Sequence, residues 1–272
     1  MDGGSSDGTL ELLASYADRY PGRLIYVSGP DRSAGDAANR GWAIAKGDIF
    51  QFMGSDDTLE PDAVETVVEF FRANPHAYFV YGDCNIINDT GEVTGKSPAT
   101  DFDLKKAVND FDIWCIPSVS AFYKRAVIET VGLCNTSLYA CDTDYWIRVG
   151  ELFRMHRIEK MLASFRVRHD SFGASSEATK KCIRDHFIIS RRHGGSLHSP
   201  CARKYYRQVI TEGLRPVIGR FYPFMNKVLL RGQTGSNSVS TVNGGTKDSS
   251  EITPSMRTIP TTQKPDKGNG LQ

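Results

Sequence analysis

Two adjacent carboxylates are the strongest local sign of chemistry in this sequence. Asp56 and Asp57 follow residues 48–53, an apolar run that predicts a buried strand. In open α/β sheets, ligands bind outside the carboxyl ends of the strands. Mg²⁺ and Mn²⁺ prefer carboxylate and phosphate oxygens, and they need only one or two protein ligands when a diphosphate supplies the rest. The pair therefore predicts a divalent-cation site, although alone it is also typical of a cap for the helix near Pro61.

A second acidic pair lies at the start of another predicted helix. Asp142 and Asp144 begin a stretch that predicts a helix over residues 142–153. A carboxylate in the first turn is kept ionised by the helix dipole. Capping of the helix is the plain interpretation of Asp142, and it is compatible with a catalytic role. Asp144 and Arg148 are one helical turn apart, and this spacing predicts a structural ion pair.

Helices and strands alternate through the first part of the chain. Strands are predicted at 23–28, 48–53 and 77–82, and helices follow Asp7 and cover about 35–46. Pro61 is expected at the first position of a further helix. This alternation predicts an α/β fold with a mainly parallel sheet that is sandwiched by helices.

The second part of the chain has a looser pattern. A hairpin turn is predicted at 89–91, a helix at 125–131 and a strand at 157–167. Residues 175–219 are helical in pattern and rich in cations and aromatic side chains. Beyond residue 233 the chain has no aromatic residue, and its Ser, Thr, Gly and Pro content predicts a disordered tail.

The overall composition excludes several classes of protein. The chain has 272 residues, 40% of them hydrophobic, and its 33 Lys and Arg residues almost balance 32 Asp and Glu residues. This balance argues against a nucleic-acid partner. The six cysteines are scattered without metal spacing, so we expect reduced thiols. No run approaches the about 20 apolar residues of a membrane span, and we expect a cytoplasmic protein.

Four segments follow one another in a characteristic order: Asp2-Gly-Gly-Ser-Ser-Asp-Gly-Thr9, Asp36-Ala-Ala-Asn-Arg-Gly41, Ala45-Lys-Gly-Asp48 and Ser55-Asp-Asp57. The same order is found in family 2 glycosyltransferases, and the chain resembles that family. Each segment alone is weak evidence for the resemblance, but four segments in the same order are strong evidence. The resemblance implies the GT-A fold of nucleotide-diphospho-sugar transferases, a nucleotide-diphospho-sugar donor and a divalent cation, Mg²⁺ or Mn²⁺.

The resemblance also implies roles for particular residues. Asp2 matches the aspartate that contacts the nucleotide base, with a solvated turn residue as the alternative. Asp36 and Asn39 match residues that line the nucleotide pocket, and an exposed helix position is the alternative for Asn39. Asp56 matches a carboxylate on the ribose side, or one that supports the metal site. Asp57 matches the carboxylate that coordinates the metal.

Two further roles follow from the resemblance in the second half of the chain. The segment Tyr139–Arg148 is similar to the family's D-x-D-L-W-L-R segment, and Asp142 matches the base that deprotonates the acceptor hydroxyl. The segment Arg166–His169 is similar to an R-x-H motif after the last strand. His169 would contact the diphosphate or the metal, with a structural histidine as the alternative.

Family members usually begin with a strand, a helix and a second strand before the Asp-Gly-Gly-Ser segment. Because this chain begins at that segment, we expect a GT-A domain over 1–173 whose first strand is missing through truncation or a misassigned start. We further expect a C-terminal helical extension over 174–232 and a disordered tail over 233–272. Residues 214–231 could lie at the inner face of a membrane as a peripheral contact, or pack on the domain.

The resemblance implies inverting, metal-dependent transfer of a hexosyl group from the donor to a hydroxyl of a glycan or lipid-linked acceptor. Synthesis of a cell-surface polysaccharide is the setting that fits best. One alternative is an inactive truncated remnant that acts at most as a nucleotide-binding or interaction module. A nucleotidyltransferase is a second alternative, but it would need a Gly-rich basic phosphate loop where residues 2–9 offer acids.

Overall fold

The computed structural model describes residues 1–110, 115–168 and 175–214, which form eight α-helices, a short 3-10 helix (Ser118–Ser120) and six strands. The helices are α1 (Thr9–Arg19), α2 (Ala34–Ile44), α3 (Ala63–Ala73), α4 (Leu104–Asp110), α5 (Arg125–Val131), α6 (Cys141–Leu152), α7 (Ser176–Arg192) and α8 (200–214). The strands are β1 (Ile49–Gln51), β2 (Thr58–Leu59), β3 (Phe79–Ile87), β4 (Val93–Ser97), β5 (Ala121–Lys124) and β6 (Met155–Arg166).

The six strands form one mixed sheet. Their order is β1-β5-β3-β6-β2, and β4 pairs with β3. The α/β class is confirmed, but the expectation of a mainly parallel sheet needs correction. Among the named strands only β3 and β6 pair in parallel, while the β1–β5, β2–β6, β3–β4 and β3–β5 pairs are antiparallel. The cause is the second half of the chain, where a hairpin to β4 and the reversed strand β5 take the place of helical crossovers.

Helices cover both faces of this sheet, as the sequence pattern predicted. Because side chains alternate along a strand, Phe79 and Tyr81 of β3 pack into one core with Trp146 of α6. Val80, between them, packs into a second core with Val67 of α3. All three β3 side chains are completely buried. The central strand β3 therefore supplies both cores, and α6 is held firmly against one face of the sheet.

Several element predictions are confirmed and others need adjustment. The helix at 125–131 is α5, the helix at 142–153 is α6 within one residue, and the 89–91 turn joins β3 to β4. The segment predicted to be helical over 175–219 is interrupted at 193–199. The predicted strand at 23–28 is wrong, because only Ser28 pairs there, in a single bridge to Asp2.

The N-terminal helix is poorly covered in the described chain. None of the residues of α1 is buried, and the apolar side chains of Leu12, Ile25 and Val27 are exposed in this region. This contrasts with α6, in which most residues of the first two turns are buried. The region that holds Asp2 is therefore packed less firmly than the region that holds Asp142.

All described residues fall within one compact unit, which spans Met1–Gly219. Within it, α7 packs against α4 and α6. The segment 215–231 and the tail over 233–272 lie outside the described residues, so the proposed extension and tail stay predictions.

All six cysteines are free thiols, as expected. Within the described ranges, no helix has the length and apolar character that crossing a membrane requires.

Candidate active site

The loop between β1 and β2 carries the acidic pair. β1 ends at Gln51, and β2 begins at Thr58, directly after Asp57. Asp57 is only 8% exposed, and its Oδ1 accepts a hydrogen bond of 2.9 Å from the backbone N–H of Arg166. Burial raises the pKa of the Asp57 carboxyl. The fold therefore keeps a partly desolvated carboxylate at the carboxyl end of a strand, where the sequence predicted it.

Arg166, the last residue of β6, is hydrogen-bonded to this loop through its side chain. Its Nε donates to the backbone oxygen of Asp56 at 2.8 Å. Its Nη1 donates to the backbone oxygens of Asn88 at 2.5 Å and Asp89 at 3.1 Å. One guanidinium thus ties the acidic loop to the β3–β4 hairpin. No role for Arg166 was predicted beyond its place in the R-x-H-like segment, since these partners are distant along the chain.

The two carboxyl groups converge above Gly54. A Cβ atom at Gly54 would lie 2.8 Å from Oδ2 of Asp57 and 2.9 Å from Oδ1 of Asp56. Any larger residue at position 54 would therefore occupy the space between the two oxygens. These two hard oxygens fit a divalent cation that takes its remaining ligands from phosphate and water. The described residues hold no cluster of three or more metal-ligating side chains.

Asp2 lies in a separate, densely hydrogen-bonded turn. Its carboxylate accepts from Ser28 Oγ at 2.6 Å, from Ser5 Oγ at 2.5 Å and from the backbone N–H groups of Ser5 and Gly4 at 3.1 and 2.9 Å. The bond from Ser28, followed by those from Ser5, lowers the pKa of Asp2. Asp2 is thus held ionised in a fixed orientation. This arrangement differs from a freely solvated turn residue.

The two α2 residues of the predicted pocket have protein partners of their own. Asp36 accepts from Nη2 of Arg32 at 2.7 Å, and this bond lowers its pKa. The side-chain amide of Asn39 donates to the backbone oxygen of Cys134 at 3.0 Å and accepts from its N–H at 2.8 Å. Asn39 is half-buried and joins α2 to the loop before α6. A nucleotide-binding role for either residue stays a prediction.

The two hydrogen bonds between Asn39 and Cys134 lead to a stability prediction. Asn39→Ala removes both hydrogen bonds and leaves the Cys134 backbone groups without their partner, so we expect a loss of about 2 kcal/mol in the free energy of unfolding. Urea denaturation measures it. Asn74→Ala is the control, because within the described residues the Asn74 side-chain amide donates only to the backbone oxygen of Phe70 in the helix that it ends. Equal losses in both variants would contradict the bridging role of Asn39.

Asp142 lies in the first turn of α6, at the edge of a small cavity. The cavity is lined mainly by apolar and aromatic side chains from α2 and α6, together with Phe52 from the loop after β1. α2 approaches so closely that a Cβ at Gly35 would lie 3.0 Å from Sγ of Cys141. Among the cavity-lining residues Asp142 is the only charged one. The starts of α2 and α6 and the β1 loop thus meet at this carboxylate.

The electrostatics of Asp142 differ from the expectation. Its side chain is accessible to solvent, yet the protein atoms packed around it desolvate the carboxyl and raise its pKa. Here desolvation outweighs the backbone hydrogen bonds that favour the ionised form. Oδ1 accepts from the backbone N–H of Thr143 at 2.8 Å. A raised pKa makes the carboxylate a stronger base once it is ionised.

The neighbouring carboxylate has a structural contact, as its spacing predicted. Asp144 is buried and pairs with Nε of Arg148 at 2.9 Å. The same guanidinium donates to the backbone oxygens of Val131 and Leu133, both at 2.8 Å. This pair anchors the loop after α5 to α6. Asp144 is therefore part of the support of the helix, and Asp142 alone of the two faces the cavity.

Among the described site residues, Asp142 lines this cavity and the other predicted residues do not. It shares the cavity with the start of α2 and with Phe52, which belongs to the same loop as Asp56 and Asp57. Asp2 makes no direct hydrogen bond or ion pair with these carboxylates within the described residues. His169 lies outside the described residues.

Comparison with known protein families gives a match over the first half of the chain. Residues 1–132 match the model described as glycosyl transferase family 2. A Mycobacterium tuberculosis protein named PGL/p-HBAD biosynthesis glycosyltransferase is 33% identical over 150 residues, which are 54% of this chain and 56% of that protein. The chain thus spans about half the length of this relative. An Escherichia coli chondroitin synthase is 27% identical over 59% of this chain and 23% of its own length.

Solved structures with a similar fold include two glycosyltransferases. A Pyrobaculum calidifontis mannosyltransferase, solved with GDP-Man and Mn²⁺, gives a TM-score of 0.51 at 18% identity and covers 75% of this chain and 58% of that one. Residues 1–349 of TarS from S. aureus, solved with UDP-GlcNAc, give the same TM-score at 16% identity, with the same coverage. At these identities the likeness shows a shared fold.

Proposed function

Because residues 1–132 match the glycosyl transferase family 2 model, we propose that this chain transfers a sugar from a nucleotide-diphospho-sugar to a hydroxyl acceptor with inversion at the anomeric carbon. The GT-A fold expected from the sequence is confirmed by the similar structures. Relatives named for biosynthesis and for chondroitin synthesis make a glycan or a lipid-linked glycan the proposed acceptor. The hexosyl nature of the transferred group is part of the proposal.

The convergence of Asp56 and Asp57 on the space above Gly54 is the observation that carries this proposal. Two carboxyl oxygens placed at the carboxyl end of a strand form half of a site that a diphosphate would complete. When bound there, a divalent cation would neutralise the charge that develops on the departing nucleoside diphosphate. Asp57 is proposed to hold the cation, Asp56 to support it, and Asp2 with Asp36 and Asn39 to line the nucleotide pocket.

The proposed reaction uses Asp142 as the general base. The acceptor hydroxyl oxygen forms a bond to the anomeric carbon, and the bond from that carbon to the diphosphate oxygen breaks with its electron pair. The hydroxyl proton passes to the Asp142 carboxylate. A single displacement of this kind inverts the configuration at the anomeric carbon. The largely apolar cavity around Asp142 supports this role, since it raises the basicity of the carboxylate.

Metal removal tests the proposal directly. The chain is incubated with a panel of UDP- and GDP-sugars in Mn²⁺, and release of the nucleoside diphosphate is followed. We expect release of the nucleoside diphosphate from at least one donor. Chelation with EDTA should lower the rate of this release by at least about 100-fold, because the leaving group is then not neutralised. Recovery on return of Mn²⁺ excludes denaturation by the chelator. Release that is unaffected by EDTA would refute the metal-dependent mechanism.

The same panel separates transfer from an inactive nucleotide-binding module. A binding module would be stabilised against thermal unfolding by UDP or GDP with Mn²⁺, since a ligand that binds only the folded state stabilises it. It would release no nucleoside diphosphate from any sugar donor, even with oligosaccharide acceptors present. Such an outcome would contradict the proposed transferase function.

A further inference from the structure

A buried carboxylate on α7 contacts the backbone that leads into the helix of Asp142. Asp185 is only 3% exposed. Its Oδ2 accepts from the N–H of Tyr139 at 2.5 Å and from the N–H of Ala140 at 3.3 Å. Nε of the exposed Arg184 lies 3.7 Å from Oδ1. A buried carboxylate is costly unless it is hydrogen-bonded, and these two amides offset part of that cost.

The start of α6 has no side-chain cap of its own. Its N-cap residue is Ala140, which makes no side-chain hydrogen bond. An alanine at this position forgoes a contribution of about 1 kcal/mol that a capping side chain gives. Instead, Asp185 on α7 accepts hydrogen bonds from the backbone N–H groups of the two residues immediately before α6 begins. The path of the chain into α6 is thus fixed by α7, and Asp142 is the second residue of that helix.

Other residues on the same face of α7 also lie close to the Asp142 turn. Cys182 and His186 are three residues before and one after Asp185. The pKa of the Cys182 thiol is raised by burial and by the negative charges of Asp142 and Asp185, so it lies near both carboxylates. Nε2 of His186 lies 3.3 Å from Oγ1 of Thr143. One face of α7 therefore packs over the first turn of α6.

We propose that Asp185 is a positioning residue, which holds the first turn of α6 so that the Asp142 carboxylate points into the cavity at the acceptor side. The proposal rests on the function proposed above, because it assigns Asp185 a part in the same reaction. Catalytic geometry is demanding, and a displacement of about 1 Å in a reacting group can cost about 100-fold in rate. Asp185 itself need not touch either substrate.

Three variants separate positioning from general support. Asp185→Ala removes the acceptor, whereas Asp185→Asn removes the charge but keeps an oxygen that can accept from both amides. Ser175→Ala is the matched control, since it removes the cap of α7, whose Oγ accepts from Ala178 N–H at 3.0 Å, without touching α6. We expect Asp185→Ala to lower kcat by about 100-fold with the donor KM unchanged. Asp185→Asn and Ser175→Ala should keep most of the wild-type kcat.

A substrate-free measurement tests positioning even if no donor is found. The Asp142 carboxyl signal is followed by ¹³C NMR in the full chain and assigned by its absence in Asp142→Asn. We expect its pKa to fall toward the ordinary aspartate value in Asp185→Ala and to stay raised in Asp185→Asn. Failure of the transfer assay with this result would refute the proposed function but not the contact between the helices.

Three outcomes would overturn the inference. The first is an unchanged Asp142 titration and unchanged kcat in folded Asp185→Ala. The second needs no variant: if the Tyr139 and Ala140 amides of the wild-type chain exchange with deuterium as fast as exposed amides, Asp185 does not hold them. The second measurement applies even if Asp185→Ala fails to fold. Equal losses of kcat in Asp185→Ala and Ser175→Ala would also overturn it, because they would indicate only general support by α7.

Discussion

Asp142→Asn is expected to lower sugar transfer by about 10³-fold while leaving donor binding unchanged. The amide is nearly the same size as the carboxyl and can still accept from the N–H of Thr143, so the first turn of α6 should keep its shape. It cannot take a proton from the acceptor hydroxyl. Turnover is measured with the donor that the panel identifies, and donor affinity is measured by calorimetry in the presence of Mn²⁺.

The pH dependence of transfer gives the same prediction a second readout. Asp142 acts only as the carboxylate, so turnover falls when the pH drops below its pKa. Because desolvation by the surrounding protein atoms raises that pKa above the ordinary value of 3.8, the acidic limb of the wild-type profile should lie above pH 3.8. The residual activity of Asp142→Asn should lack this limb. An acidic limb that is identical in both proteins would assign it to another group.

A matched control comes from a carboxylate at another helix start. Asp103 accepts from the N–H of Lys106 at 3.0 Å, just before α4, and it does not line the cavity of Asp142. Asp103→Asn should therefore leave transfer unchanged. If it lowers turnover as much as Asp142→Asn does, the effect reflects loss of a helix-terminal charge. Unchanged transfer in Asp142→Asn would remove Asp142 from the role of base.

The sequence predicted local features well where a few adjacent residues determine them. α5 and α6 begin within a residue of their predicted starts, because capping and apolar spacing are local signals. Pro61 was less informative. The helix behind it, α3, begins at Ala63 with Asp62 as its N-cap, so Pro61 lies before the helix and not in its first turn. Strand direction was predicted least well, since it depends on which distant segments pair.

The acidic pair and Asp142 could be found from the sequence, but their supports could not. Asp56 and Asp57 are recognisable by their place after an apolar run. Arg166 and Asp185 are not, because each acts on backbone groups far along the chain. A single arginine or aspartate in a strand or helix carries no sign of such a partner. Residues that hold a site in shape thus become visible only when the chain is folded.

The desolvation of Asp142 and Asp57 shows why their ionisation could not be predicted from the spacing of charges along the sequence alone. From the sequence, Asp142 was expected to be held ionised by the dipole of α6. In the fold, desolvation by the surrounding protein atoms raises the pKa of both Asp142 and Asp57. Asp2, which has four hydrogen-bond donors around it, shows the opposite shift. Whether a carboxylate is stabilised therefore depended on the donors that the fold brings to it, and these came partly from distant residues such as Ser28.

Asp57→Asn is expected to abolish the stimulation of donor turnover by Mn²⁺, with a loss of at least about 100-fold at saturating metal. The amide oxygen can still accept from the N–H of Arg166, so the loop should keep its attachment to β6. The negative charge that would hold the cation is lost. Release of nucleoside diphosphate is measured over a range of Mn²⁺ concentrations. Asp62→Asn is the control, since Asp62 is an exposed carboxylate five residues along the chain whose ion pair in the described part of the chain is with Lys160, at 2.6 Å.

The same substitution should leave the fold at least as stable as the wild type. The pKa of Asp57 is raised, so above that pKa its ionised form destabilises the folded state relative to a neutral group. Asparagine removes this cost at neutral pH, and the thermal midpoint of Asp57→Asn without metal should equal or exceed that of the wild type. Mn²⁺ with UDP or GDP should then raise the midpoint of the wild type but not of the variant. A stable Asp57→Asn protein with normal Mn²⁺-dependent turnover would show that the carboxylate is kept for another reason than the metal.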